Sequence, residues 1–148
     1  KSLKAGESVA LMNDQKMNDG IAAPFFGREA MTASGPARLA LRAGAPLVPM
    51  SIVRSGGPRF IVRVHEPLPE PSATERGAAI LETVTRINRF VEDRIREAPS
   101  QWFWVHRRFD KAIYKQAYSD GSPPEAPAPT SEKASTSGST PTASEGSI

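Results

Sequence analysis

Three groups of residues in this sequence are of types that do chemistry. Asp14 and Gln15 set a carboxylate, able to orient a base or accept from a cation, beside an amide that both donates and accepts. Asn13 and Asp14 also favour turns, so the same residues read equally as a turn with a solvated glutamine. His65 and Glu70 set an imidazole and a carboxylate five positions apart, residue types that can serve as a general base and the acid that orients it. Pro67 and Pro69 lie between them, directly after an alternating strand, and we read this pair as coincidental. His106 has Lys111 at the fifth position and fails the pattern.

The third group mixes aromatics with cations. Phe25-Phe26-Gly27 sits among Asn, Asp, Gly and Pro, where propensity would place small polar residues. Such residues could wall an apolar tunnel or simply pack a core, since aromatic rings bury large apolar area and glycine permits close backbone approach. Arg28 adds a guanidinium, able to hold an anion bidentately, and Thr32 a hydroxyl that both donates and accepts. Arg54 is an anion contact or an exposed strand-end arginine. Trp102, Phe103, Trp104, Val105, His106, Arg107 and Arg108 suit a membrane interface, with rings at headgroup depth and guanidinium groups on phosphates. Nucleic-acid binding uses the same ingredients, and docking of a terminal helix is the plainer alternative.

The elements that must position these residues alternate between strand and helix. Leu3 to Gly6 reads as a helix end, and Ser8 to Met12 as a short buried strand between Gly6 and Asn13. Ser34 to Ala43 fits a helix capped by Ser34, with Pro36 in its first turn and Gly44 stopping it. Leu47 to Val53 reads as a strand with an edge or bulge at Pro49. Gly56-Gly57 turns it into the alternating run Arg59 to His65, a hairpin. From Glu75 to Glu97, the residues Ile80, Val84, Ile87, Val91 and Ile95 form the stripe of a helix with one buried face, which Pro99 terminates. The order β-α-β-β-α predicts an α/β sandwich with helices packed on a mixed sheet.

Composition sets the outer bounds. The 148 residues suit one domain of ordinary size, assigned here to residues 1–118. Residues 119–148 are Ser, Thr, Pro, Gly, Ala and Glu apart from Asp120, Lys133 and Ile148, the last the one large apolar side chain, and they read as a disordered tail. The net charge is +3; the tail carries four acids against Lys133, which leaves +6 on residues 1–118. A basic folded part suits an anionic partner such as a membrane surface, a phosphorylated lipid, an acidic carrier protein or nucleic acid. The absence of cysteine rules out disulfides and thiolate metal sites. No run approaches the roughly 18 to 20 apolar residues of a membrane span.

Several motifs in register carry a resemblance. Asp14-Gln15, Phe25-Phe26-Gly27 with Thr32, Gly44-Ala45-Pro46 with Leu47-Val48-Pro49, and Pro99-x-x-Trp102-x-Trp104-x-His106-Arg107-Arg108 follow one another in this order. Over residues 4 to 118 the pattern resembles the bacterial lipid A biosynthesis acyltransferases, of the late lauroyl/myristoyl type. The resemblance implies a glycerolipid-acyltransferase-like fold. It implies transfer of a fatty acyl chain from an acyl carrier protein thioester to a lipid A precursor, at the cytoplasmic face of the cell inner membrane. Neither a metal, an organic cofactor nor a nucleic-acid partner is implied.

The family's His-x4-Asp/Glu dyad precedes its Phe-Phe-Gly block, so the catalytic pair is expected upstream of Lys1, and the chain reads as the C-terminal part of a longer protein. Asp14 and Gln15 then become support for the active site. Phe25, Phe26, Gly27, Arg28, Thr32, Arg54, Arg107 and Arg108 become substrate contacts. A related glycerolipid or glycan acyltransferase would differ in its acceptor. A non-catalytic membrane-binding module would lack the dyad altogether.

Overall fold

The apolar stripe between Glu75 and Glu97 organises the fold. In this computed structural model, which describes residues 2–103 and 107–119, the stripe is the buried face of a long helix at Arg76–Glu97. Glu75 caps it: the carboxylate accepts from the backbone N–H groups of Gly77 at 2.8 Å and Ala78 at 2.7 Å, two of the donors that a helix start leaves unpaired. At the other end, Pro99 opens a 3-10 turn, Pro99–Gln101, and prevents continuation.

Two antiparallel hairpins and a second helix complete the elements that precede it. Strand β1 (Lys16–Phe25) pairs with β2 (Arg28–Thr32), and β3 (Met50–Gly56) pairs with β4 (Arg59–Val64). Helix α1 (Gly35–Ala43) lies between the hairpins, the long helix is α2, and α3 (Lys111–Ser119) follows. Among the described residues the strands thus form two separate antiparallel two-stranded sheets instead of the single mixed sheet expected, with α2 packed on β1 and α1 against α2.

The β3–β4 hairpin and α2 form as the sequence predicts, α2 beginning one residue after its cap. Helix α1 forms too, but its cap differs. The Ser34 hydroxyl accepts from the Arg38 guanidinium at 3.0 Å instead of from a backbone N–H, and Gly44 closes the helix in the left-handed conformation at φ 61°. The strand expected from Leu47 begins at Met50. Proline at position 49 has no N–H for the ladder, although its carbonyl still accepts from the His65 N–H at 3.0 Å. The expected helix end near Leu3 is a 3-10 turn at Ser2–Ala5.

The strand expected at Ser8 to Met12 does not form. Those residues have no ladder partner, and Val9, Leu11 and Met12 are exposed, so the backbone gains nothing from extension there. In its place is the unpredicted hairpin β1–β2, hidden in the sequence by Asn18, Asp19, Gly20 and Pro24. Gly20 explains how the hairpin closes: a Cβ on it would lie 2.2 Å from the Thr32 carbonyl oxygen, beside the irregularity in the register between Lys16 and Ile21. The 120–148 part of the expected tail, and Trp104, Val105 and His106, lie outside the described residues.

The core has two adjoining clusters. Ala23 and Ala37 pack on Ile80 and Val84 with Ile21 at the rim; small residues on β1 and α1 let both elements approach α2. Phe25, Ala30 and Ile95 form the second cluster, with Phe26, Val91, Trp102 and Phe109 against it. On the β3–β4 hairpin, Met50, Ile52, Phe60, Val62 and Val64 occupy one face and are all exposed. The opposite face is partly covered, and carries half-buried Ser51 and Val53.

Candidate functional site

The first layer of the site is a polar network inside the β1–β2–α2 core. Asn88, on the α2 stripe and 1% exposed, donates from Nδ2 to the Pro24 carbonyl at 2.8 Å and to Thr32 Oγ1 at 3.2 Å. Thr32, at the end of β2 and fully buried, donates its hydroxyl to the Ala30 carbonyl at 2.9 Å. Arg108 enters from the closing cluster: Nη1 donates to the Met31 carbonyl at 2.8 Å, and Nη2 to Thr32 Oγ1 at 2.8 Å and Asn88 Oδ1 at 3.3 Å. Thr32 Oγ1 therefore makes one donated and two accepted bonds, the full capacity of a hydroxyl. The Arg108 guanidinium also lies 4.6 Å from the centre of the Phe25 ring, a cation–π contact.

Arg108 is 5% exposed, and removal from water pushes its guanidinium below its ordinary range; the Asp14 carboxylate and the Tyr114 hydroxyl oppose that shift. Asp14 also borders the network. With Gln15, Trp102, Phe103 and Arg108 it lines a crevice of about 30 Å³. Asp14 Oδ1 and Arg108 Nε are buried without a hydrogen-bond partner among the described residues, as are both polar atoms of the neighbouring Asn13 amide. A carboxylate oxygen and a guanidinium N–H thus belong to residues lining the same small crevice.

A second layer surrounds the β1–β2 turn. Phe26 and Gly27 both take positive φ, 49° and 72°, between the paired residues Phe25 and Arg28. That is the pattern of a type I′ turn, whose first position strongly prefers Asn, Asp or Gly. Phe26 is the one non-glycine residue with positive φ among those described. Its N–H donates to Glu92 Oε1 at 2.8 Å, and Glu92 Oε2 accepts from Arg96 Nη2 at 2.8 Å. The Arg96 guanidinium lies 4.9 Å from the Phe26 ring centre, and the Phe25 ring meets Phe26 edge-on at 4.9 Å.

The structure thus sorts the sequence candidates by depth. Phe25, Thr32 and Arg108 are interior, with Arg108 touching both of the others; Phe26 is half-buried beside Phe25; Gly27, Arg28 and Arg107 are exposed. Arg54 lies apart on the β3–β4 hairpin. Its guanidinium donates to the Gly57 carbonyl at 2.6 Å and stacks on Phe60 at 4.4 Å, while its backbone is clasped by the Gln101 amide. The His65 imidazole meets Ser51 Oγ at 2.8 Å and Phe90 edge-on, and the Glu70 carbonyl accepts from Arg86. Asn88 and Glu92 escaped the sequence reading. Their signal was there: counting in fours from Val84 places both on the buried side of α2, where an amide and a carboxylate must find partners.

Comparison with known proteins then decides the family. A sequence profile described as bacterial lipid A biosynthesis acyltransferase matches residues 1–111. The chain belongs to this family. It is 34% identical over 115 residues to the lipid A biosynthesis palmitoleoyltransferase of Escherichia coli (strain K12), covering 73% of this chain and 35% of that protein. The lipid A biosynthesis acyltransferase of Shigella flexneri matches with the same identity and coverage. The chain therefore spans about a third of the length of these curated relatives. The acyltransferase match contains both layers of the site, from Asp14 through Arg108. Among the described residues no group of His, Cys, Asp and Glu could hold a metal ion, and no helix is long and apolar enough to cross a membrane.

Proposed function

We propose that the complete protein transfers a fatty acyl chain from an acyl carrier protein thioester to a hydroxyl-bearing acyl chain of a lipid A precursor, at the cytoplasmic face of the inner membrane. Family membership across residues 1–111 carries this reading. In the reaction the acceptor hydroxyl oxygen bonds to the thioester carbonyl carbon and the carbon–sulfur bond breaks. A histidine supplied from upstream takes the hydroxyl proton, and the carrier leaves as its thiol. The finer fold belongs to the same proposal: the two hairpins and their helices are parts of a glycerolipid-acyltransferase-like sandwich.

This segment supplies the platform for the acceptor. Arg28 and Arg107 are exposed guanidinium groups suited to the acceptor's phosphates, and Arg28 sits directly after the Phe26–Gly27 turn. Phe25, Thr32 and Arg108 serve from the interior, holding β2 and the closing segment in register. Asp14 places negative charge beside Arg108. Incubating the complete protein with acyl carrier protein thioester and lipid A precursor should give an acceptor heavier by one acyl group. The 148-residue chain alone should give none, since His65 faces Ser51 and Phe90. Turnover by the chain that disappears in His65→Ala would overturn the assignment of the base.

A further inference from the structure

We propose that Glu92 is a positioning residue for the acceptor platform: from α2 its carboxylate fixes the Phe26–Gly27 turn, and with it the placement of Arg28. The inference rests on the acyltransferase reading for its substrate and on the following geometry for everything else.

Phenylalanine has no side-chain group to stabilise the left-handed backbone that Phe26 adopts at φ 49°, so the turn sequence by itself does not secure the conformation. Something outside the turn must hold it. Glu92 is 66 residues away in sequence, is 9% exposed, and accepts the Phe26 N–H at 2.8 Å. Its other oxygen holds Arg96 at 2.8 Å, and Arg96 in turn covers the Phe26 ring at 4.9 Å. One carboxylate therefore grips both the backbone and, through Arg96, the side chain of the same strained residue. A helix ion pair made only for helix stability would not need a buried oxygen aimed at a loop amide. Backbone strain held by surrounding structure is a mark of sites where geometry has to be fixed in advance.

What the turn presents is chemically specific. Gly27 and Arg28 are exposed, and among the described residues the Arg28 side chain makes no hydrogen bond or ion pair, while Arg96, Arg86 and Arg94 are all paired with acids. A guanidinium at the foot of a fixed turn suits a phosphorylated sugar. Its useful position depends on the turn not opening.

The test is exchange of the Phe26 amide hydrogen in the complete protein, followed by NMR, with steady-state kinetics of the same protein beside it. Glu92→Ala should speed that exchange, and should raise the KM for the acceptor by about tenfold, the scale of one lost hydrogen bond to a charged group, with a smaller change in kcat. Glu92→Gln, which keeps an acceptor oxygen, should recover most of both effects. Asp93→Asn removes the other acid bonded to Arg96 and should leave both readings unchanged. In a Phe26→Asn background, where the turn residue itself favours positive φ, Glu92→Ala should cost far less. Unchanged exchange in Glu92→Ala overturns the proposal, as does an equal effect from Asp93→Asn. Faster exchange with an unaltered acceptor KM overturns the link to substrate. If wild type transfers no acyl group at all, the function reading falls, and amide exchange still decides whether Glu92 holds the turn.

Discussion

Replacing Arg108 by lysine keeps the charge and removes the fork, which separates an interior role from a headgroup-binding one. The guanidinium reaches the Met31 carbonyl, Thr32 Oγ1 and Asn88 Oδ1 from two nitrogens, and its plane covers Phe25. A lysine ammonium is a point donor on a shorter, round head, and can keep one of these three bonds in the same space. Loss of two hydrogen bonds to a charged group, each worth about 1.5 kcal/mol net, gives a destabilisation of about 3 kcal/mol before the lost stacking is counted. For a folded part of this size that lowers the melting midpoint by roughly 12 °C. The assay is thermal unfolding of wild type and Arg108→Lys by circular dichroism, at low and high salt. Because the group is 5% exposed, the difference should hardly change with salt. A midpoint within about 2 °C of wild type would refute the reasoning. So would a loss that salt abolishes, which belongs to an exposed charge.

Three further outcomes are expected. Asp14→Asn in the complete enzyme should cut the chemical rate at least about tenfold, roughly 1.4 kcal/mol of barrier, with little change in melting; single-turnover kinetics beside a thermal melt will show whether the charge or only the turn matters. Gly20→Ala should destabilise the β1–β2 hairpin by about 2 kcal/mol, because its Cβ would meet the Thr32 carbonyl at 2.2 Å; a urea titration with an unchanged midpoint would refute this. Glu75 and Glu82 are held below the ordinary 4.5, first by backbone N–H groups of Gly77 and Ala78 and of Ser72 and Ala73 respectively. A depressed carboxylate stabilises the fold above its unfolded value and ceases to as pH falls through the folded one. Stability should therefore drop on acidification below about pH 4.5, and more shallowly in Glu75→Gln/Glu82→Gln, as acid titration of helical ellipticity will show.

The sequence by itself determined the elements whose causes are local. The fourfold and threefold spacing of Ile80, Val84, Ile87, Val91 and Ile95 specifies α2 wherever it packs, because a 3.6-residue period puts those side chains on one face. Gly44 ends α1 and Gly56-Gly57 turns β3 into β4 because glycine reaches positive φ without steric cost. The motif order identified the family for a similar reason, since residue types at fixed separations are themselves sequence. Tertiary structure decided what depends on distant partners. Ser8 to Met12 has strand-like residues but nothing to pair with, whereas Lys16–Phe25 has poor strand composition and pairs with β2. Phe26 takes a turn conformation that its own type disfavours because Glu92 and Arg96, on a helix far along the chain, hold it there. Arg107 and Arg108 are adjacent and chemically identical, yet one is exposed and the other lies 5% exposed between Thr32 and Asn88. Burial of a charge is decided by whether partners are already waiting inside, and those partners come from β2 and α2, which no local pattern around residue 108 encodes.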